Sequence, residues 1–272
     1  MRDPIPWGAT LQLSRDTTKI RDSAQPDQTL DTALAIVDYA FSSQLTMGLR
    51  GGYEETTYTA ETTSGPIYGG NIAWHPSPLT SVVGYWESRF YGPSYVVTAS
   101  HRHYRLATTL NARRTISTFP QLLLQLPSTT STFGLLDAIL VARFPDPLER
   151  AQQVDDLIQR QALPQSLPEG AFIYNQSATI STGANLEFAL IGVRNTLALN
   201  IFYLKSQQLP DARVPTSFVT FTNNEQIGAG LTLSHRVTPT VNLNGTISGF
   251  QTEGFGPTEG EETRQGLVSL QL

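Results

Sequence analysis

The chain has 272 residues, of which 39% are hydrophobic and only 15% charged; an average soluble domain carries about 25% charged residues, and here Thr, Ser, Asn, Gln and Gly fill the difference. A net charge of −5, from 18 basic and 23 acidic residues with no basic run, excludes the phosphate-binding stripe that a nucleic-acid partner needs. With no cysteine, disulfide, zinc-thiolate and thiol-nucleophile chemistry fall away together, and no stretch approaches the roughly 18 consecutive apolar residues of a membrane helix.

From the N-terminus, Met1-Arg2-Asp3-Pro4-Ile5-Pro6-Trp7 has no apolar segment of a signal peptide, so an exported protein would stand here as a mature or truncated chain. Alternation then begins. Trp7, Ala9, Leu11 and Leu13 share one parity, followed by Ala33, Ala35, Val37, Tyr39 and Phe41, then Leu45, Met47 and Leu49, then Tyr68, Gly70, Ile72 and Trp74. Later runs repeat the pattern. Leu197, Leu199, Ile201 and Tyr203 alternate, as do Ile227, Ala229, Leu231 and Leu233 against Gly228, Gly230, Thr232 and Ser234, and Val241, Leu243 and Ile247 against Asn242, Asn244 and Ser248. Period-two patterning of this kind makes strands with one wet and one apolar face. It predicts twelve strands, at 7–15, 31–42, 45–58, 66–75, 79–90, 94–101, 104–116, 176–190, 196–207, 221–236, 241–251 and 264–272.

One segment departs from this grammar. Between Phe133 and Ala162, Leu135, Leu136, Ile139 and Leu140 share a helical face, Pro145-Asp146-Pro147 interrupts it, and Leu148, Ala151, Val154, Leu157 and Ile158 resume it. Asp146 is placed to cap the second helix, with Pro147 at its first position and Glu149 set for a capping box. Pro164 and Pro168 end the insert, taken as 133–165. Its apolar stripe must be buried, by capping the strands, by folding among them or by docking on a partner.

The links between strands fall into two classes. Short turns near 43–44, 76–79, 101–103, 192–195 and 237–240 alternate with long polar links near 16–30, 59–65, 117–175, 208–220 and 252–263, and only Phe90-Tyr91-Gly92-Pro93 is short where a long link is due. Short turns on one rim and long loops on the other are the signature of an up-and-down outer-membrane β-barrel, with the insert on the long-loop side. Trp7, Phe41 and Trp74 beside short turns, and Tyr53, Tyr95 and Tyr203 toward the long loops, fit interfacial girdles. A soluble sandwich also alternates, but it predicts a charged outer face and no sorting of loop lengths.

Because a charge facing lipid is costly, charged strand residues identify the inward parity. By this rule Tyr85, Glu87, Arg89 and Tyr91 point inward, as do Arg50 with Glu54, Asp38, Arg105, Asn111 with Arg113, and Asn185 with Glu187; Asn71, Asn200, Asn242 and Asn244 follow by alternation. Such residues line a sugar-binding channel or make a salt-bridged barrel interior. Val82, Trp86, Leu106 and Leu110 then face lipid. Catalysis has little support, since His75, His101, His103 and His235 lie at short turns and Ser100-His101 and Ser234-His235 are neighbours on a strand, pointing to opposite faces. His101-Arg102-His103 is a spacing that any tight turn produces, and Glu253, Glu259, Glu261 and Glu262 read as a solvated loop; neither metal nor cofactor is expected.

Three stretches resemble the uncharacterised outer-membrane β-barrel proteins associated with the PEP-CTERM/exosortase system. The first is Trp74-His75-Pro76-Ser77-Pro78-Leu79-Thr80, with Glu87-Ser88-Arg89-Phe90-Tyr91-Gly92-Pro93-Ser94-Tyr95 and Ser100-His101-Arg102 after it. Next come Leu135-Leu136-Asp137-Ala138 and Phe144-Pro145-Asp146-Pro147-Leu148-Glu149-Arg150-Ala151, and last Leu190-Ile191-Gly192-Val193-Arg194-Asn195-Thr196-Leu197. The resemblance, over roughly 65–210, implies a bacterial outer-membrane location near exopolysaccharide and protein-sorting genes, and no established activity. Members of that family are typically longer at the N-terminus, and the chain ends at Leu270-Gln271-Leu272 without a terminal aromatic, so a fragment is expected, with fourteen or sixteen strands in the intact protein. Three functions compete: a pore or export-associated channel for exopolysaccharide or small solutes, a non-conducting scaffold anchoring matrix polymer, and an outer-membrane hydrolase. The partners implied are the lipid bilayer, a polysaccharide and an export-machinery protein bound through the insert.

Overall fold

The computed structural model describes residues 6–19, 28–57, 62–117, 132–140, 144–161, 178–209, 223–238, 241–256 and 259–271. Twelve strands form one antiparallel sheet in which sequence order is spatial order. They are β1 (Trp7–Thr18), β2 (Gln28–Ala40), β3 (Leu45–Thr56), β4 (Thr63–Ser77), β5 (Thr80–Arg89), β6 (Gly92–His103), β7 (Leu106–Ser117), β8 (Thr179–Ile191), β9 (Asn195–Gln208), β10 (Asn224–Arg236), β11 (Asn242–Gly254) and β12 (Glu262–Gln271). Every strand predicted from alternation is present. Two helices, α1 (Thr132–Leu140) and α2 (Pro147–Gln161), stand between β7 and β8. Strands β1 and β12 are the edges of the sheet, and no pairing joins them among the described residues.

Short turns gather at one rim and close locally. The Ser42 hydroxyl accepts the Gln44 and Leu45 amides while Phe41 N–H donates to the Leu45 carbonyl; Ser77 Oγ accepts the Leu79 amide; Val237 N–H donates to the Val241 carbonyl. The opposite rim holds the longer links and also the two-residue turn Phe90–Tyr91. That turn is short because Gly92 adopts a φ of 97°, which a side chain would oppose, and because a buried carboxylate, Glu54 Oε1, accepts the Phe90 amide at 2.9 Å. The segments 20–27, 58–61, 118–131, 162–177, 210–222 and 257–258 of the long links, with Pro164 and Pro168, lie outside the described residues.

Register assigns every strand residue to a face. β10 is the clearest case: Asn224, Gln226, Gly228, Gly230, Thr232 and Ser234 are buried, and Ile227, Ala229, Leu231 and Leu233 between them are exposed. Following paired positions across the sheet puts Trp7, Val37, Leu49, Trp74, Trp86, Leu110, Ile201 and Ile247 on this exposed outer face. Outer positions carry Asp, Glu, Lys or Arg only toward the long-link rim, as in the Arg15–Asp31 and Lys205–Glu225 pairs.

The helices lie on the other face, called inner here. They share a small core in which Leu136 and Val154 are almost fully buried and Phe133, Leu140, Leu157, Ile158 and Ile191 pack around them. Arg150 ties the hairpin together, donating to Asp137 Oδ1 at 2.6 Å and to the Phe144 and Pro145 carbonyls, and Asp146 caps α2 through the Leu148 amide at 3.0 Å. α1 touches β6, β7 and β8, and α2 touches β10. Of the three ways the sequence left for covering the stripe, packing among the strands is the one seen: Ile191, at the short-turn end of β8, lies against the hairpin's core. The wall beneath is built to admit it, since Ala107, Ala189 and Ala198 form a buried cluster with Ile191, and neighbouring Thr196, Thr232 and Ser234 are also small and buried. Side chains at Leu135 and Ile139, assigned to the same stripe from sequence, lie outside the described residues.

Curvature is evident at the long-link rim. One buried cluster joins Leu30 of β2 with Ala178, Ile180 and Leu209 around β8 and β9, and Phe90, Tyr91 and Ile116 pack against it. Strands β2 and β8 are six places apart in the sheet, so it curls until their ends share a core.

Candidate functional site

Side chains on the inner face of β2–β5 bond to one another over glycine. Asp38 on β2 and Asn71 on β4 flank Gly48 on β3, and Asn71 Nδ2 donates to Asp38 Oδ1 at 2.7 Å across it. A Cβ at Gly48 would lie 2.2 Å from that same oxygen. Arg50 on β3 and Glu87 on β5 flank Gly69, and Arg50 Nε meets Glu87 Oε1 at 2.6 Å. Further toward the long-link rim, Arg89 Nη2 is 2.7 Å from Glu54 Oε2 and Arg89 Nε also donates to it at 2.9 Å. Antiparallel strands lie about 4.8 Å apart, so partners two strands away meet only if the strand between offers no side chain or the side chains are long; these pairs use both conditions.

The pairs are enclosed. The Glu54 side chain is 0% exposed and that of Glu87 4%, against 16% and 13% for their arginines, so neither carboxylate is tolerable without its guanidinium. Glu54 spends its second oxygen on the Phe90 amide. Tyr85, half-buried in register with Asn71, holds the Arg50 guanidinium 4.5 Å from its ring centroid. The result is a neutralised, interlocked girdle.

Of the residues singled out from sequence, Tyr85, Glu87, Arg89, Arg50, Glu54 and Asp38 come together in this girdle. Asn111 and Arg113 are on the inner parity of β7, opposite Asn185 and Gly183, and Asn111 accepts from Thr98 Oγ1 at 3.0 Å. Glu187, buried on β8, accepts from Asn185 Nδ2 at 2.5 Å, three strands from the girdle's nearest member at β5 and apart from it. Tyr91 belongs to the β5–β6 turn, in the short link expected there, where it packs with Phe90 under the long-link rim; burial pushes its hydroxyl pKa above the ordinary value, more than a hydrogen bond with Ser94 and the charge of Arg89 pull it down. One placement differs from expectation. Arg105 is in the β6–β7 turn, exposed, with its guanidinium 5.3 Å from the Tyr104 ring, because β7 begins at Leu106 and not at 104. It lines no wall.

The histidines stay at the short-turn rim. His101 Nδ1 is 2.8 Å from Thr80 Oγ1 and His235 Nδ1 is 2.5 Å from Asn195 Oδ1, while Ser234, next to His235, is buried on the inner face. His75, His101 and Arg102 line a recess of about 540 Å³ at this rim with Ser81, Ser100 and Thr109, a feature that alternation gives no means of seeing. Among the described residues no three His, Asp or Glu side chains gather as a cation would require, and no helix is long and apolar enough to cross a membrane. At the start of β12, Glu262 pairs with Arg264.

Sequence reasoning missed an aromatic pair. Phe202 on β9 and Phe250 on β11 both face Gly228 of β10 on the inner, otherwise polar parity. The only signal was two phenylalanines where the wet parity called for polar residues. No family model and no curated protein matches the chain.

Proposed function

We propose that the chain forms the wall of a β-barrel in a bacterial outer membrane and that its inner face lines a path for exopolysaccharide or small solutes, in the PEP-CTERM/exosortase setting that the sequence resembles. The observation that carries this reading is the two-faced sheet. The outer face is apolar over seven to nine residues of β1–β4 and of β8–β10, mostly exposed on β1–β3 and β10 and half-buried on β8 and β9; at about 3.3 Å per residue this is roughly 23–30 Å of strand, comparable with the ~25 Å lipid belt of outer-membrane barrels. Such an area cannot stay in water on a stable monomer. The inner face is polar and salt-bridged, as in a wetted lumen.

Closure belongs to the same proposal. Long unpaired edges invite aggregation, and β1 and β12, antiparallel by the up-and-down order, carry matched apolar-out, polar-in alternation. They close the barrel directly or through further strands of a longer chain. About eight strands fill with side chains and about sixteen leave a channel, so twelve give an intermediate lumen.

A second reading has its own support: the α1–α2 hairpin occupies inner-face space at β6–β10, which favours a closed, non-conducting scaffold that holds matrix polymer. Single-channel recording in planar bilayers separates them. Steps of conductance in the intact chain, or after removal of 133–165, support the path; none in either removes it. The shared premise is tested by cysteine substitution in this cysteine-free chain. In membranes, Cys at 85, 89 and 113 should react with a water-soluble maleimide and Cys at 82, 86, 106 and 110 should not; the reverse pattern, or a monodisperse fold without detergent, overturns the barrel.

A further inference from the structure

On the described inner positions of β9, β11 and β12, and of β10 up to Ser234, no residue is charged. The charged residues of the inner face are concentrated on β2–β8. Within the neutral half, Phe202 and Phe250 meet over Gly228. A Cβ at Gly228 would lie 2.5 Å from Phe202 Cζ and 2.8 Å from Phe250 Cβ, so the absent side chain is what admits the Phe202 ring between the strands. Phe202 is 5% exposed and Phe250 37% exposed. The Phe202 ring is enclosed over Gly228 next to the Phe250 Cβ, and Phe250 is the more open of the two side chains.

The surroundings are amides and hydroxyls, with the buried Glu187 carboxylate behind Asn185 on the β8 side. Ser248 and Thr252 flank Phe250 on its own strand, Gln265 is its partner on β12, and Asn185 is the partner of Phe202 on β8. Asn185 Oδ1 is buried and accepts no hydrogen bond, an unmet acceptor that a ligand hydroxyl would satisfy. An apolar ring face bordered by neutral donors and acceptors matches a pyranose, whose C–H face stacks on an aromatic ring while its hydroxyls bond at the rim. It does not match a free solute anion or a uronic acid, for which this half has no cation.

We infer that Phe250, backed by Phe202 over Gly228, is a stacking subsite for a neutral hexopyranose oligosaccharide. Gly228 stands nearer the long-link end of β10 than the short-turn end, whereas the hairpin packs on Ile191 at the short-turn end. The inference rests on the lumen reading above and narrows its substrate class.

The test uses the full chain reconstituted in liposomes, with maltohexaose, cellohexaose and chitohexaose as neutral probes and tri-galacturonate as the charged control, read by calorimetry. At least one neutral probe should bind and the control should not; Phe250→Ala should weaken that binding about tenfold or more, Phe250→Trp should preserve it, and Tyr53→Ala on the outer face should leave it unchanged. Gly228→Ala, which displaces the Phe202 ring, should weaken binding as well. No binding of any neutral probe, or equal binding by Phe250→Ala, overturns the subsite. Labelling of Phe250→Cys by a water-soluble maleimide in the same liposomes tells the two failures apart: a labelled Cys with no glycan binding removes only this subsite, and an unlabelled one removes the lumen as well.

Discussion

Two regions of the same inner face are filled in opposite ways. On β2–β5 the interior is occupied by the wall's own long charged side chains, interlocked above glycines at 48 and 69. On β7–β10 the wall shrinks to Ala107, Ala189, Ala198, Thr196 and Ser234, and a separate helical hairpin supplies the bulk. Both cover the inner face of the curled sheet, one with its own side chains and one with a separate element. The difference lies in reversibility. A girdle built into strands cannot leave without breaking buried ion pairs, whereas a hairpin with its own core and its own Arg150–Asp137 clasp is a unit that can come away from its seat.

The sharpest way to break the comparison is on the girdle side. Glu54→Ala strands Arg89 in a buried site and releases the Phe90 amide, and breaking a buried pair from one side costs about 3–5 kcal/mol. Urea unfolding in detergent should show that loss for Glu54→Ala and a smaller one for Glu54→Gln, which keeps an acceptor for Phe90. A loss under 1 kcal/mol would mean that the girdle is solvated and no more than surface pairing.

On the seat, the same logic predicts a different symptom. Ala198→Leu adds volume beneath the hairpin, and overpacking costs typically about 1–3 kcal/mol, but the hairpin can lift away to relieve it. We expect a loss near 2 kcal/mol or below, together with new protease cleavage within α1–α2 and, if the path conducts, larger conductance. Equal cleavage in the parent protein would show that the seat does not hold the hairpin. Arg150→Ala should cost still less, about 1 kcal/mol, since Asp137 is partly exposed and a solvated pair is worth little; its cleavage should fall inside the hairpin, between α1 and α2, leaving the wall's stability unchanged.

These two regions also differ in how far the sequence reveals them. Strand alternation is a local property, so all twelve strands and the inward parity of Arg50, Glu87, Arg89 and Arg113 could be read directly. That Arg50 would find Glu87, and Arg89 Glu54, depends on register between strands and on which glycine lies between, and neither is a local property. The hairpin's amphipathic stripe was legible, but a stripe says only that it is covered. The seat of small residues was visible in Ala107, Ala189 and Ala198 without any sign that the three are neighbours. Arg105 was misplaced because the end of a strand is set by turn hydrogen bonding, and two residues of error moved it from wall to rim. Adjacent charges at Glu54–Glu55 and Arg113–Arg114 make the parity rule ambiguous; they are tolerated because Glu55 and Arg114 emerge near the charged long-link rim.

The two regions meet at the seam where Leu30, Ile180, Phe90 and Tyr91 pack together, and the smallest prediction concerns it. Burial raises the Tyr91 pKa above its ordinary value, so the folded protein retains this proton where the unfolded chain, with a phenol pKa of about 10, gives it up. The stability associated with the neutral phenol is therefore fully present below about pH 10 and is lost as pH rises through the folded value above that. Tyr91→Phe removes the group. The stability difference between parent and Tyr91→Phe, measured by urea unfolding in detergent at pH 9 and again at pH 11, should shift toward the phenylalanine variant at the higher pH by less than about 1 kcal/mol, and all other tyrosines cancel in the comparison. A difference that does not change with pH would mean that Tyr91 is wetted, and that the curled ends of β2 and β8 do not share a dry core at this rim.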